Sequence, residues 1–292
     1  MTAQNLVSVI MVTRHTGPAL DRAIESVLAQ KGAVELVLVN NGNPPEVEAA
    51  LTARFKDAPH VRLMTGHGDV GFARGCNLGA RVASGDHLLF LSPFCRLPDG
   101  IIAALGENEE AFKKPFVLGV RLVDGQGTEI ACSRRPILTP EGLIVSVLRL
   151  AKHFPKLHLD LHKKALPSHT VRMPAISRHF MVMLKADFIA MGGFDPAYLY
   201  HSEDADFLLR FKERGGHIYF RPDLTVPCLL GGAASLADDK QKMKDSIRYI
   251  HDHYGASYFH PFLWLIYAGY GLSYLAKRGQ ARLATYQAQK KR

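Results

Sequence analysis

Three groups of residues in this chain of 292 have the types and spacing to do chemistry. The first is acidic. Glu203, Asp204 and Asp206 open the stretch Ser202–Arg214, whose apolar Ala205, Phe207, Leu208, Leu209 and Phe211 predict a helix. A helix dipole favours acids in its first turn whatever the function. The same carboxylates can also take a proton from a substrate hydroxyl, as a general base must. Asp206 faces differently from Asp204 and is spaced to pair with Arg210, four residues on. The second group is four polar or glycine-rich segments, residues 13–17, 40–43, 66–71 and 92–96. The third is cationic: Lys, Arg and His crowd the stretch from Lys152 to His179, and the tail from Lys277 to Arg292 has no acid.

The elements that present these residues follow from periodicity. Leu6–Val12, Glu35–Val39, His60–Met64 and His87–Leu91 read as strands, and Ala19–Gln30, Val47–Phe55 and Gly71–Ala83 as helices. Strands alternating with helices predict an α/β fold with a mostly parallel sheet and right-handed crossovers. Ligands of such sheets bind beyond the carboxyl ends of the strands, which gathers the four polar segments at one edge. Further along, Phe116–Leu122 and Glu129–Ser133 read as strands around a turn at Asp124–Gly127, and Leu143–His153 as a helix. Pro155–Pro174 is a basic loop or insertion. Ala175–Leu184 is apolar, Lys185–Met191 is a short helix, and His217–Phe220 and Thr225–Leu229 are late strands.

Composition narrows the class. An apolar content of 47% supports one large core, without repeats or low-complexity tracts. The formal charge of +9, from 36 Lys and Arg against 27 Asp and Glu, favours anionic partners. No helix-turn-helix, RNA-binding or zinc signature accompanies it, so nucleic acid is not the expected partner. Cys76, Cys95, Cys132 and Cys228 include no C-x-x-C pair, and a core of this size needs no disulfide. With no charged leader before Leu6, a cytoplasmic location follows as an expectation. Gly66-His67-Gly68-Asp69-Val70-Gly71 matches a dinucleotide-binding fingerprint. Two strand–helix units precede it, however, and the next strand ends in Leu91-Ser92-Pro93-Phe94 without the acid that holds a ribose, so a nicotinamide cofactor is not expected.

The order of segments resembles glycosyltransferase family 2. Val7–Thr13 and Glu35–Gly42 are similar to that family's opening, and Val70-Gly71-Phe72-Ala73-Arg74-Gly75-Cys76-Asn77-Leu78-Gly79 to its "GFAxGxNxG" helix start. Leu88–Phe94 sits where the family has "LLLNPD", and Gly192-Gly193-Phe194-Asp195 followed by Glu203–Arg210 is similar to "GGFDE…EDxDLxxR". The resemblance covers about residues 6–235 and is greatest to the rhamnosyltransferase-like branch that builds bacterial surface polysaccharides. It implies a GT-A fold over residues 1–255, a UDP-, dTDP- or GDP-linked sugar donor, and inversion by direct displacement onto a glycan or lipid-linked acceptor. It makes Asp204 the candidate base, with Glu203 beside it. It puts nucleotide-sugar contacts at Thr13, Arg14, Asn40, Asn41, Gly42, Gly71, Phe72, Arg74, Asn77 and Ser92.

Three positions depart from the family. The base-reading Asp after the second strand is Asn40, which can donate as well as accept. The acid that holds Mg²⁺ or Mn²⁺ is replaced by Phe94, with Ser92 ahead of it, and a hard cation needs oxygen ligands. A His of the late loop is missing from Val226–Gly232. The expectation is transfer without a bound metal, Arg14, Arg74, Arg96 and the Lys152–Arg178 segment supplying positive charge; the alternative is a non-catalytic relative that binds donor, acceptor or a partner enzyme. Residues 256–292 form a separate C-terminal segment. Its Pro261–Ala276 is apolar and aromatic, short for a span of about 20 residues, and followed by Lys277 and Arg278. Peripheral attachment to the inner face of a membrane is expected, with packing on the domain or in a homodimer, and a true span, as the alternatives.

Overall fold

The computed structural model describes residues 6–14, 17–150, 152–157, 161–229 and 236–255, with 261, 263–272, 274–275 and 278 near the C-terminus. Residues 15 and 16 of the first polar segment, 230–232 of the late loop and the tail from 279 lie outside the described residues. The first half alternates as its periodicity predicts: β1 (Val7–Thr13), α1 (Pro18–Leu28), β2 (Val34–Asn40), α2 (Pro45–Phe55), β3 (Val61–Met64), α3 (Phe72–Val82) and β4 (His87–Leu91). There follow α4 (Ile101–Gly106), β5 (Phe116–Val123), β6 (Arg134–Arg135), α5 (Pro140–Val147), β7 (Val171–Arg172) and β8 (Ala175–Ile176). The remaining elements are β9 (Phe180–Leu184), α6 (Lys185–Ala190), α7 (Glu203–Glu213), β10 (His217–Pro227) and α8 (Leu236–Tyr254).

Compactness divides the chain into two units. The first comprises residues 1–137, 160–199 and 203–231; the second comprises 138–159, 200–202 and 232–292. The first holds an eight-stranded sheet in the order β3-β2-β1-β4-β9-β5-β10-β7. β1 pairs parallel with β2 and β4, β2 with β3, and β5 with β10, while β9 runs antiparallel between β4 and β5. The chain leaves β1 toward β2 and β3 and returns to β4 on the other side. That reversal opens a crevice beyond Thr13 and Leu91, where such sheets bind ligands.

Alternate residues of β1 serve opposite cores, as strand geometry requires. Val9 and Met11 pack with Leu20, Ile24 and Val27 of α1, and Ile10 and Val12 with Ala73, Cys76 and Ala80 of α3. α3 lies close on the sheet because Gly79 allows it: a Cβ there would sit 2.6 Å from Ile10 Cγ2. Phe90, Phe188, Phe194 and Phe207 close this core, their ring centroids 4.9–5.5 Å apart.

Four predicted segments differ in detail. Glu129–Ser133 is not a strand; only Glu129 bridges to Val123, and the next pairing is the two-residue β6 against β8. The helix expected over Leu143–His153 runs from Pro140 to Val147; it starts early because Thr139 caps it by accepting from Gly142 N–H at 3.1 Å and proline suits a first helical position. Ala175–Leu184 is broken into β8 and β9 by Ser177-Arg178-His179. The two late strands are one, β10, with a register shift between Arg221 and Thr225 around Pro222, which has no N–H to donate.

In the second unit, Asp245 of α8 accepts from Tyr200 N–H at 3.2 Å and His201 N–H at 3.1 Å. The helical residues 263–272 bury Leu263 and Ile266 and press Gly269 against Val147 of α5. Trp264, Leu265, Tyr267, Leu272 and Leu275 are exposed.

Candidate active site

Asp69 organises one side of the crevice. It forms an ion pair with Arg14 at 2.9 Å, and its Oδ1 accepts from Asn41 Nδ2 and from Gly71 N–H, both at 3.1 Å. Asn41 Oδ1 accepts from Val70 N–H at 3.0 Å, which fixes the 66–71 loop to the end of β2. Gly42 is required for this approach: its φ is 78°, and a Cβ would lie 2.6 Å from Asp69 Cβ. Thr13 is buried, and its carbonyl accepts from Asn41 N–H and Asn43 Nδ2, both at 3.0 Å. Asn40 is also committed, donating to Glu48 at 2.8 Å and accepting from Asn43 at 2.7 Å. The structure thus joins Thr13, Arg14, Asn40, Asn41 and Gly42 into one network. Its centre, Asp69, was missed by sequence reasoning, although a lone acid among three glycines is a legible signal.

The acidic side is assembled by the break between β8 and β9. His179 C=O accepts from Ser92 N–H at 2.9 Å, at the end of β4. Arg178 N–H donates to Asp204 Oδ2 at 3.3 Å, and its guanidinium pairs with Glu203. The same guanidinium stands over the Phe72 ring, 4.7 Å from its centroid, at the start of α3. Three segments distant in sequence therefore meet at residues 177–179, and Phe72, Ser92, Glu203 and Asp204 come together. Arg135 of β6 pairs with Asp204 and donates to Ile176 C=O at 2.9 Å. Sequence reasoning missed Arg135, and nothing local marks it.

Asn77 and Arg74 stand apart from this cluster. Asn77 Nδ2 donates to Phe194 C=O at 2.7 Å and its Oδ1 accepts from Phe194 N–H at 3.0 Å, a clasp on the Gly192–Asp195 loop. Arg74 is exposed on α3. Arg210 pairs with Asp206 at 2.7 Å, as the spacing predicts, and ties α7 to the same loop through Met191 C=O and Gly193 C=O, both at 3.2 Å.

The two carboxylates differ electrostatically. Burial pushes the Asp204 carboxyl up, but the Arg135 and Arg178 guanidiniums outweigh it and hold the group below the ordinary range. Burial dominates at Glu203, and Arg178 does not fully offset it, so that carboxyl lies above its ordinary value. His179, buried and beside Arg178, is held down to about 3 and stays neutral.

The donor set does not suit a hard cation. Phe94 packs against the core, Ser92 Oγ accepts from Phe94 N–H at 3.3 Å, and both carboxylates are covered by guanidinium. Among the described residues, no group of three or more His, Cys, Asp or Glu could hold a metal ion. Beside this loop the expectation of unpaired cysteines is corrected. Cys95 and Cys228, 133 residues apart in sequence, form a disulfide with Cα atoms 4.0 Å apart. Motif spacing finds only local pairs; this one is made by the bridge between the 92–96 segment and the end of β10.

Sheet order and crevice are those of the GT-A fold. Residues 8–100 match the model of glycosyl transferase family 2. It is 23% identical over 235 residues to the N-acetylglucosaminyl-diphospho-decaprenol L-rhamnosyltransferase of Mycobacterium tuberculosis, covering 76% of this chain and 75% of that one. Solved structures share the fold. The mannosyltransferase PcManGT from Pyrobaculum calidifontis, in complex with GDP-Man and Mn²⁺, gives a TM-score of 0.59 at 14% identity over 99% of this chain and 81% of that one. GalNAc-T7 with UDP, GalNAc and Mn²⁺ gives 0.61 at 18% identity over 87% of this chain, which spans 50% of the GalNAc-T7 chain.

Proposed function

We propose that the chain transfers a sugar from a UDP-, dTDP- or GDP-linked donor to a hydroxyl of a lipid-linked glycan, with inversion, in cell-surface polysaccharide synthesis. The observation that carries this reading is the meeting of a buried carboxylate pair with the start of α3 and the end of β4 at residues 177–179. In a single displacement the acceptor oxygen forms a bond to the anomeric carbon as its proton passes to Asp204. The bond from that carbon to the diphosphate breaks, and its electron pair leaves with the nucleoside diphosphate. The acceptor class is supported by the mycobacterial relative, whose name describes a decaprenol-diphosphate-linked sugar. Side-chain cations, not Mg²⁺ or Mn²⁺, balance the leaving charge. A ligand that binds only the folded state raises the melting temperature. One of UDP, dTDP or GDP in EDTA is expected to do so; a shift that appears only with Mg²⁺ or Mn²⁺ would overturn the metal-independent part.

A second reading, a protein that binds donor without turning it over, is favoured by one observation: both carboxylates are covered by arginine. Donor turnover in an extract supplying acceptor lipids separates the two.

Work on a lipid-linked acceptor requires a membrane surface. No helix among the described residues is long and apolar enough to cross one. The exposed face of residues 263–275 offers Trp264, Leu272 and Leu275, each more than half exposed, and an interfacial helix of this kind binds through such residues. We assign it to peripheral attachment at the inner face. Full-length protein carrying Trp264→Ala, Leu272→Ser and Leu275→Ser is expected to lose at least about tenfold in partition onto anionic lipid vesicles, since burial of only two CH₂ groups at about 0.8 kcal/mol each already gives that much; unchanged sedimentation with vesicles sinks the assignment.

A further inference from the structure

We propose that Arg178 and Arg135 are the receptors for the donor diphosphate, and that their move from Glu203 and Asp204 onto it is the step that uncovers the base. The inference rests on the donor reading above. Its geometry is a layered one. The side chains of Glu203 and Asp204 are 0% and 5% exposed, while those of Arg178 and Arg135 are 24% and 27% exposed. The cations thus lie on the solvent side of the anions, so a ligand entering there meets them before the carboxylates. The Phe72 ring, its centroid 4.7 Å from the Arg178 guanidinium carbon, restrains that planar group, and guanidinium matches phosphate in two-point geometry. Three other candidate cations are placed differently: Arg14 is held by Asp69, and Arg74 and Arg96 are exposed.

The cluster is neutral as it stands, two guanidiniums against two carboxylates. A diphosphate competes for the same donors with more negative charge and more acceptor oxygens. Two atoms already lack partners inside it, Arg135 Nε and Glu203 Oε2, so the present pairing leaves both a donor and an acceptor to satisfy. After exchange, burial acts on the carboxylates with less opposition. The charged or titratable groups facing Asp204 are Arg135, Arg178, His179, Glu203 and Cys132, and of these the two arginines are what hold its carboxyl down. Withdrawing them makes the carboxylate a stronger base at the moment the leaving group is held. The acceptor proton then goes to Asp204, and the electron pair of the broken bond goes to the diphosphate now bound by the arginines.

Four full-length proteins test this: wild type, Glu203→Gln, Arg178→Gln and the double variant. Each is titrated calorimetrically with UDP, dTDP and GDP in EDTA, and each is melted. Glu203→Gln removes the competitor and is expected to bind nucleotide several-fold more tightly. The double variant removes charge from both sides and is expected to recover the melting temperature lost by Arg178→Gln, yet to bind nucleotide at least about tenfold more weakly than wild type, as loss of a charge-assisted bond of about 1.5–3 kcal/mol implies. A double variant that binds as wild type does, or a Glu203→Gln protein that binds no more tightly, overturns the inference while leaving the donor reading intact. Wild type that binds none of the three overturns the donor reading and the inference with it.

Discussion

Asp204→Asn is expected to lower sugar transfer by about 10²–10⁴-fold, the contribution of a positioned general base, while nucleotide binding and the fold persist. The amide has nearly the shape of the carboxylate and keeps an oxygen for the Ala205 N–H, now 2.8 Å from Asp204 Oδ1. It cannot accept the acceptor's proton. The substitution also leaves Arg135 without its counter-ion, so the melting temperature falls; the circular dichroism spectrum and a cooperative melt distinguish that from unfolding. Glu203→Gln is the necessary companion, because burial makes Glu203 the more basic of the two carboxyls at rest. Full turnover in Asp204→Asn with loss in Glu203→Gln would transfer the role to Glu203. Full turnover in both would falsify the carboxylate mechanism. The pH profile gives an independent reading: kcat/KM reports the free enzyme and kcat the bound complex. With the arginines drawn onto the diphosphate, the acidic limb of kcat is expected at higher pH than that of kcat/KM.

The first half of the fold was legible because its information is local. β1 to β4 and the helices between them fall within a residue or two of the periodic segments, since β1, β2 and β4 bury both faces and the helices carry apolar residues toward the sheet. α8 escaped notice because Asp238, Asp239, Lys240, Lys242, Lys244 and Asp245 dilute its stripe. The acidic pair was legible as a motif, but what surrounds it was not. Arg135 reaches Asp204 across 69 residues from a strand of two residues, too short to show any period. Asn77 shows the converse: a motif residue whose amide is spent clasping Phe194, 117 residues away. Partners of this kind are fixed by sheet order, which no window of sequence contains.

Glu129→Ala is expected to have the largest effect on stability, about 3–5 kcal/mol, because it leaves a buried guanidinium without its partner. Glu129 and Arg134 meet through two parallel bonds of 2.7 and 2.8 Å, with side chains only 7% and 4% exposed. Arg134 further donates to Ala165 C=O at 3.2 Å and Lys164 C=O at 3.0 Å, so the pair anchors β6 to residues 164 and 165. A fall in the urea midpoint at unchanged slope is the signature of lost stability within the same two states. Replacing both partners, as Glu129→Leu with Arg134→Met, is expected to restore most of the loss, since a buried ion pair gains little over apolar residues of similar volume. The effect extends to the active site through strand geometry. Arg134 and Arg135 are adjacent in β6 and project to opposite faces, so the anchor on one face sets the position of the guanidinium that covers Asp204 on the other. Glu129→Ala should therefore weaken nucleotide binding under conditions where the protein is still fully folded, and the apolar double variant should recover it. Stability lost without any change in nucleotide affinity would show that β6 is held by its pairing with β8 alone.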